Sequence, residues 1–332
     1  MKHFTVLILV CLATASLNAQ QKLHCMINED QSATIIVDST IHKDYGLAYP
    51  LTYNFTIPAE GSNFSAFRRY STEDTWSPVA EKQAGELFDA VEAVRFDTTT
   101  RNAYLSASFG ADSDSLFMKI VDISGAEVPI SYEGITTYYD NRTAVVTCSA
   151  DDWAEWFDSY FPYAVSVFRD YNLWLSVGIN SEGCTEANWQ NIQEQLDLGM
   201  VEAAAHSRNH PHVPYDDAEY EVLGSKQDIL DNLDLPPEFR KGDQEYVYVW
   251  IAPYGEYDDE IDALVASGKY LVSRMVNREE YSFAEWDENR SFYGAVGMSY
   301  EIGPFWGGSV DLNELNGSFD TAYGMNGIYH LM

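Results

Sequence analysis

The sequence predicts an α/β protein in which a distorted (β/α) barrel follows an all-β sandwich. Two observations lead to this prediction. Short apolar runs separated by Gly, Pro, Asn, Asp and Ser fill residues 22–140, a pattern typical of a β-sandwich. From residue 141 to 332, strand-like runs alternate with amphipathic helical stretches, which predicts parallel strands covered by helices. A chain of 332 residues is long enough for both domains.

The first 21 residues have the pattern of a secretory signal. Lys2 precedes an apolar stretch from Thr5 to Leu12, and Leu17-Asn18-Ala19 supplies a cleavage site. No later stretch reaches the roughly 18 uncharged apolar residues that a membrane span needs. We therefore expect a signal peptide over residues 1–19 and a secreted protein, extracellular or periplasmic, without a membrane span.

The strongly acidic composition restricts the kinds of molecule that the protein can bind. The chain has 52 acidic and 19 basic residues, which gives a formal net charge of −33. A surface of this kind repels nucleic acid, so we expect no nucleic-acid partner. Adaptation to a salty medium is the simpler explanation, and steering of a cationic substrate is the alternative. Cys25, Cys148 and Cys184 are too few for a disulfide framework, although one bridge between Cys148 and Cys184 stays open.

The predicted sandwich contains no cluster of catalytic residue types. Its strands are expected at runs such as Ala33–Val37, Leu51–Ile57, Ala103–Ala107 and Leu116–Val121. An accessory or glycan-contacting module and a purely structural one are both compatible with this half of the chain.

The second half is expected to place its strands and helices in alternation. Predicted strands cover Ala144–Ser149, Leu173–Ile179, Met200–Ala205, Tyr246–Ile251, Tyr270–Met275 and Gly327–Met332. Predicted helices cover residues 153–168, Thr185–Leu198, a stretch beginning at Ser225, and Asp258–Ser267. Because the sequence stops inside a strand, we expect a barrel truncated at its C-terminal end.

Two polar clusters follow two of these strands. Asp151 and Asp152 come after the first strand, and His206-Ser207-Arg208-Asn209-His210 comes after the third. The spacing of His206 and His210 predicts one helical turn with both rings on the same side. Two imidazoles and a carboxylate that meet at strand ends form an open three-ligand metal site of the kind that activates water.

These clusters, in this order on this βα background, resemble the polysaccharide deacetylase family, also called the NodB-homology domain or carbohydrate esterase family 4. The resemblance covers residues 141–332 and implies a barrel of the NodB-homology type. It implies that Asp152, His206 and His210 bind a divalent metal and that Asp151 is the general base. Zn²⁺ is the expected metal for this ligand set, with Co²⁺ or Ni²⁺ as alternatives.

The third family motif, Arg-x-Pro-Tyr-Gly, is matched by Pro253-Tyr254-Gly255. The match implies that the backbone N–H of Tyr254 helps to hold the oxyanion of the reaction. Ile251 stands where the family has the arginine that braces the catalytic base. Arg274, near the end of the next predicted strand, is our candidate replacement, and a purely structural role for it is the alternative.

The remaining two motifs differ in how well they are matched. Ile328-Tyr329-His330 fits the last one, which implies that His330 is the general acid. The fourth motif is not recognisable, since Glu285-Trp286-Asp287 matches it in content but not in spacing.

The expected function is a secreted metal-dependent hydrolase that removes N- or O-linked acetyl groups from a polysaccharide or oligosaccharide. One alternative is a hydrolase that acts on a C–N bond of a small amide. Another is a non-catalytic glycan-binding protein on a deacetylase fold, which the loss of the third-motif arginine and of the fourth motif favours. Retention of the base, the metal ligands and the acid together favours the enzyme.

Overall fold

The computed structural model describes most of the chain in segments, and the predicted signal peptide lies outside them. The described residues are 24–29, 31–38, 51–58, 63–83, 86, 88, 92–107, 115–124, 129–241, 244–274, 299–300, 312–324 and 326–331. The chain divides at the step from Arg142 to Thr143 into two compact units. Among the described residues, no helix is long and apolar enough to cross a membrane.

The described part of the first unit consists of two antiparallel sheets. Its strands are β1 (His24–Ile27), β2 (Ala33–Asp38), β3 (Leu51–Thr56), β4 (Phe64–Arg69), β5 (Ser77–Pro78), β6 (Ala93–Asp97), β7 (Asn102–Ala107), β8 (Ser115–Asp122) and β9 (Ser131–Ile135). One sheet has the order β1-β2-β8-β4-β5 and the other β6-β7-β3-β9. A short 3-10 helix, Tyr139–Asn141, follows β9.

Alternation of apolar and polar residues places the core of this unit. In β8 every second side chain is buried, from Leu116 through Met118 and Ile120 to Asp122. Successive strand residues face opposite sides of a sheet, so this pattern turns one face inward. Inward residues of both sheets, Ile35 and Phe55 among them, pack into one hydrophobic core.

The second unit is built on one parallel sheet. Its strands are β10 (Val145–Trp153), β11 (Leu175–Ile179), β12 (Val201–Ala205), β15 (Val249–Ile251), β16 (Val272–Arg274), β17 (Ser299–Tyr300) and β18 (Ile328–Leu331). The order is β16-β15-β12-β11-β10-β18-β17, and every neighbouring pair is parallel. β13 (Arg240–Lys241) and β14 (Gln244–Glu245) form a separate antiparallel pair.

Five helices accompany the described strands of this sheet. They are α1 (Phe161–Asp170), α2 (Glu186–Asp197), α3 (Ala218–Asn232), α4 (Asp259–Ser267) and α5 (Leu312–Gly324). Three of them have side-chain N-caps, each of which accepts a hydrogen bond from a backbone N–H of the first turn. The N-caps are Thr185 for α2, Asp217 for α3 and Asp258 for α4. α2 and α3 pack against β12, and α5 packs against β18.

The parallel sheet is strongly curved. In a flat sheet β10 and β16 would lie four strand spacings apart, about 19 Å. Yet Arg274 at the end of β16 forms an ion pair with Asp151 of β10. The five strands from β16 to β10 therefore wrap around a common interior as a half-barrel. In the described residues β16 and β17 are the edges of the sheet, so the closed barrel expected from the sequence is not seen there.

Several boundaries differ from the prediction. The segment after Trp153 was expected to be helical from its start, but turns precede α1, which begins at Phe161. α3 begins at Ala218 rather than Ser225 because Asp217 provides an N-cap about two turns earlier than the apolar pattern suggests. Cys25, Cys148 and Cys184 are free thiols, so the bridge left open by the sequence is not formed.

Candidate metal centre

Asp151 and Asp152 lie in a bulge of β10. β10 pairs with β11 at Ala150–Val177 and again at Trp153–Ile179, so one extra residue sits on the β10 side. Such bulges re-aim side chains. Here Asp152 has the left-handed φ of 71°. The bulge interrupts the alternation that would otherwise turn two adjacent side chains to opposite faces.

Asp152, His206 and His210 converge on one point. The Nε2 atoms of His206 and His210 each lie 3.4 Å from Oδ1 of Asp152. One potential ligand atom from each residue lies within 4.8 Å of the other two. Tetrahedral ligands about 2.1 Å from Zn²⁺ are about 3.4 Å apart, so the two measured distances fit a shared ion.

The surroundings of His206 direct its Nε2 toward that point. Its Nδ1 donates to the backbone carbonyl of Ile251 at 2.8 Å, which fixes the tautomer and leaves Nε2 as the acceptor. The ring is buried, and its Nε2 makes no hydrogen bond to any described residue. A buried ring nitrogen without a hydrogen-bond partner is expected when that nitrogen binds a metal.

Gly178 makes room for His206. A Cβ at position 178 would lie 3.2 Å from the Cβ of His206 and 3.1 Å from Cδ1 of Ile251. A glycine inside a strand often marks such a close approach, so this residue was detectable in the sequence, although it was not singled out.

The His206–His210 segment is a non-helical loop, which contradicts the predicted helical turn. Ser207 and His210 both have left-handed backbones, with φ of 62° and 56°. The His210 N–H donates to Oγ of Ser207 at 2.8 Å. Burial lowers the pKa of His210, so its ring is neutral near pH 7 and available as a ligand.

Asp151 forms an ion pair with Arg274 beside the three ligands. The Cα atoms of Arg274 and Ile251 are partners across β16 and β15, so the guanidinium enters from the strand next to the one where the family carries its arginine. Burial acts to raise the pKa of Asp151, but the charge of Arg274 and its hydrogen bond to the carboxylate outweigh it and hold the pKa below its usual range.

Tyr254 lies at the mouth of the site in a 3-10 turn, Pro253–Gly255, with φ of 56°. Its ring packs edge-on against His210, with centroids 4.4 Å apart, and stacks on His212 at 3.7 Å. Nδ1 of His212 contacts Glu256 at 3.1 Å. His212 therefore supports Tyr254 and is not one of the grouped metal ligands.

His330 is buried at the pairing of β18 with β10. Its Nδ1 lies 2.7 Å from Oγ1 of Thr147, and its Nε2 lies 3.1 Å from Oγ of Ser149. Burial, followed by the charge of Arg274, lowers the pKa of His330 to about 3. The imidazole is therefore neutral near pH 7, unlike an acid that is protonated at rest. Glu285-Trp286-Asp287 lies outside the described residues.

The comparisons with known proteins give structural neighbours but no sequence relative. No family model matches the sequence, and no curated protein matches it. Among solved structures, the chain is similar to a CE4 family pseudoenzyme from Bacillus anthracis, with 13% identity, a TM-score of 0.36, and coverage of 60% of this chain and 57% of that chain. It thus spans less than two thirds of that protein.

Two further structural neighbours have comparable scores. A polysaccharide deacetylase from Bacillus cereus has 10% identity and a TM-score of 0.32, with coverage of 78% of this chain and 89% of that chain. The CE4 domain of a multidomain xylanase from the hindgut metagenome of Trinervitermes trinervoides has 14% identity and a TM-score of 0.34, with coverage of 56% and 72%. The structural neighbours are thus CE4 family proteins at low TM-scores.

Proposed function

We propose that this protein is a metal-dependent hydrolase that removes acetyl groups from a polysaccharide or oligosaccharide. The ion pair between Asp151 and Arg274, directly beside the ligand cluster, is the observation that carries the proposal. A ligand cluster alone is compatible with a binding protein. A carboxylate kept ionised next to that cluster is what a general base requires.

The ligand set determines which ion fits. Asp152, His206 and His210 offer two neutral imidazoles and one carboxylate, which suit Zn²⁺, and Co²⁺ or Ni²⁺ accept the same donors. An ion held by these residues supplies Lewis-acid chemistry, lowering the pKa of water and polarising an acyl oxygen.

The protein groups around the ligands supply the proton transfers and the oxyanion hydrogen bond. Asp151 accepts a proton from the attacking water while Arg274 orients its carboxylate. The N–H of Tyr254 donates to the developing oxyanion. The hydrogen bonds of its turn are donated by Gly255 and Glu256, so they do not engage that N–H. His330 is neutral at rest, and it serves as the acid only if it gains a proton during turnover.

The proposed substrate class is supported by exposed aromatic rings at the ends of two strands and by the predicted export. Tyr254, Tyr257 and Trp156 are exposed rings in the loops that follow β15 and β10. Aromatic faces of this kind suit stacking on sugars. Secretion, which the leader predicts, would bring the protein to an extracellular or periplasmic glycan. We assign the first unit an accessory role as a β-sandwich.

Acetate release tests the proposal. Purified protein loaded with Zn²⁺ is incubated with a panel of N- and O-acetylated glycans and, separately, with a small N-acetylated amine that represents the small-amide alternative. We expect acetate from at least one glycan and its loss both with a chelator and in His206→Ala. Glycan binding without acetate release would support the non-catalytic alternative, and release from the amide alone would support the small-molecule one.

A further inference from the structure

We propose that Glu221 is a positioning residue that fixes the loop between the two metal-binding histidines. The inference rests on the proposed metal-dependent function. Glu221 lies in the first turn of α3, and its side chain is buried. It is not a member of the ligand group Asp152, His206 and His210, and its hydrogen bonds go to the loop, so we expect any effect on the metal to pass through the loop.

The carboxylate of Glu221 accepts three hydrogen bonds from the loop. Its Oε2 accepts the backbone N–H groups of Arg208 at 2.8 Å and Asn209 at 2.9 Å. Its Oε1 accepts from Nδ2 of Asn209 at 3.0 Å. Arg208 and Asn209 stand between Ser207 and His210, so this one side chain holds the middle of the loop.

The loop needs such an anchor because its backbone is strained at both ends of that middle segment. Ser207 and His210 both occupy the left-handed region. This conformation is unfavourable for every residue other than glycine. Three charge-assisted hydrogen bonds to one carboxylate offset that cost. Without them the loop would relax, and the ring of His210 would move relative to His206.

A second contact holds the outside of the same loop. Arg208 donates from Nε to Oδ2 of Asp228 at 2.7 Å and from Nη2 to Oδ1 of Asp228 at 2.6 Å. Asp228 lies about two turns after Glu221 in α3. The guanidinium lies over Gly224, where a Cβ would come within 2.6 Å of it. This pair fixes a side chain, whereas Glu221 binds the backbone beside His210. The larger effect on the metal is therefore expected from Glu221.

Metal affinity measured on matched variants tests the proposal. Glu221→Gln replaces one acceptor oxygen with an NH₂ that faces N–H donors. Glu219→Gln is the control, because Glu219 is exposed, lies in the same first turn and loses the same charge. Glu221→Asp keeps the charge but retracts it by one methylene. The Zn²⁺ dissociation constant by chelator competition, the visible spectrum of the Co²⁺ form and the melting temperature of the metal-free protein are measured for each.

We expect Glu221→Gln to weaken Zn²⁺ binding by about 10–100-fold, the usual effect of losing an outer-shell partner, and to change the Co²⁺ spectrum. Glu221→Asp should lie between this variant and wild type, and Glu219→Gln should match wild type. If Glu221→Gln does not fold, Glu221→Asp decides alone. A folded Glu221 variant with wild-type affinity and spectrum would overturn the proposal. Failure of the wild-type protein to bind Zn²⁺ would instead refute the metal centre itself.

Discussion

Asp151 and Asp152 are neighbours in the chain but have different surroundings. Asp152 faces His206 and His210, whereas Asp151 pairs with Arg274. The bulge in β10 permits both to point into the same site. A carboxylate that ligates and a carboxylate that stays ionised beside it are the two parts that hydrolysis at a metal requires.

The Asp151→Asn variant should keep its metal and lose most of its activity. Asparagine preserves the shape of the side chain but does not accept a proton from water. We expect kcat to fall by about 10²–10⁴-fold, the usual contribution of a general base. Steady-state acetate release together with metal analysis measures both properties. Full activity would remove Asp151 from the mechanism.

Arg274→Met should change the pH dependence of the reaction. Methionine roughly fills the buried volume without the charge. Because that charge lowers the pKa of Asp151, its removal should raise the pKa and shift the acidic limb of the pH–rate profile to higher pH. We also expect a lower kcat at an unchanged metal content. An acidic limb that stays in place would show that Arg274 does not tune the base.

The sequence predicted which residues form the site better than it predicted their backbone conformations. The two strand-end clusters predicted that Asp152, His206 and His210 would meet, and the structure places them together. The left-handed conformations of Asp152, Ser207 and His210 were not predictable, because nothing in those residue types requires positive φ. The role of Glu221 was also not predicted, because an acidic residue in the first turn of a helix usually only interacts favourably with the helix dipole.

At the scale of elements, the close approach of β11 to β12 and β15 sets the position of the histidine pair. Gly178 of β11 leaves the space that the side chains of His206 and Ile251 occupy. The alternation of strands and helices was predictable from apolar periodicity. The starts of α1 and α3 were not, because capping by Asp217 and the turns after Trp153 override that periodicity.

Gly178→Ala should therefore destabilise the second unit and weaken metal binding. The added methyl group meets the Cβ of His206, which has little freedom to move, and overpacking of this kind costs about 1–3 kcal/mol. Gly317→Ala in α5 is the control, because its Cβ meets nothing within 4 Å. Urea unfolding and Zn²⁺ titration measure the two effects. A Gly178→Ala variant with wild-type stability and affinity would contradict the account.

At the scale of the whole molecule, the curved sheet brings β16 across to β10 and buries His330 near the charge of Arg274. The pKa of His330 falls from its ordinary value of 6.5 to about 3. Between these values the unfolded chain binds a proton that the folded chain does not. His330 therefore makes the folded state progressively less stable as pH falls below 6.5.

His330→Gln should remove this component of acid sensitivity. In that pH window the wild-type free energy of unfolding should fall more steeply than that of the variant, by about 1.4 kcal/mol per pH unit. Urea unfolding at several pH values between 6.5 and 4 gives both slopes. Identical slopes would mean that His330 titrates normally in the folded protein.

X-ray absorption spectroscopy on the metal-free protein reloaded with Zn²⁺ tests directly whether Asp152, His206 and His210 bind a metal. We predict one ion per chain, bound by two imidazole nitrogens and carboxylate oxygen at about 2.0–2.2 Å, and its loss in His206→Ala. Substoichiometric Zn²⁺, or a spectrum with no imidazole scattering, would show that Asp152, His206 and His210 are not a metal centre.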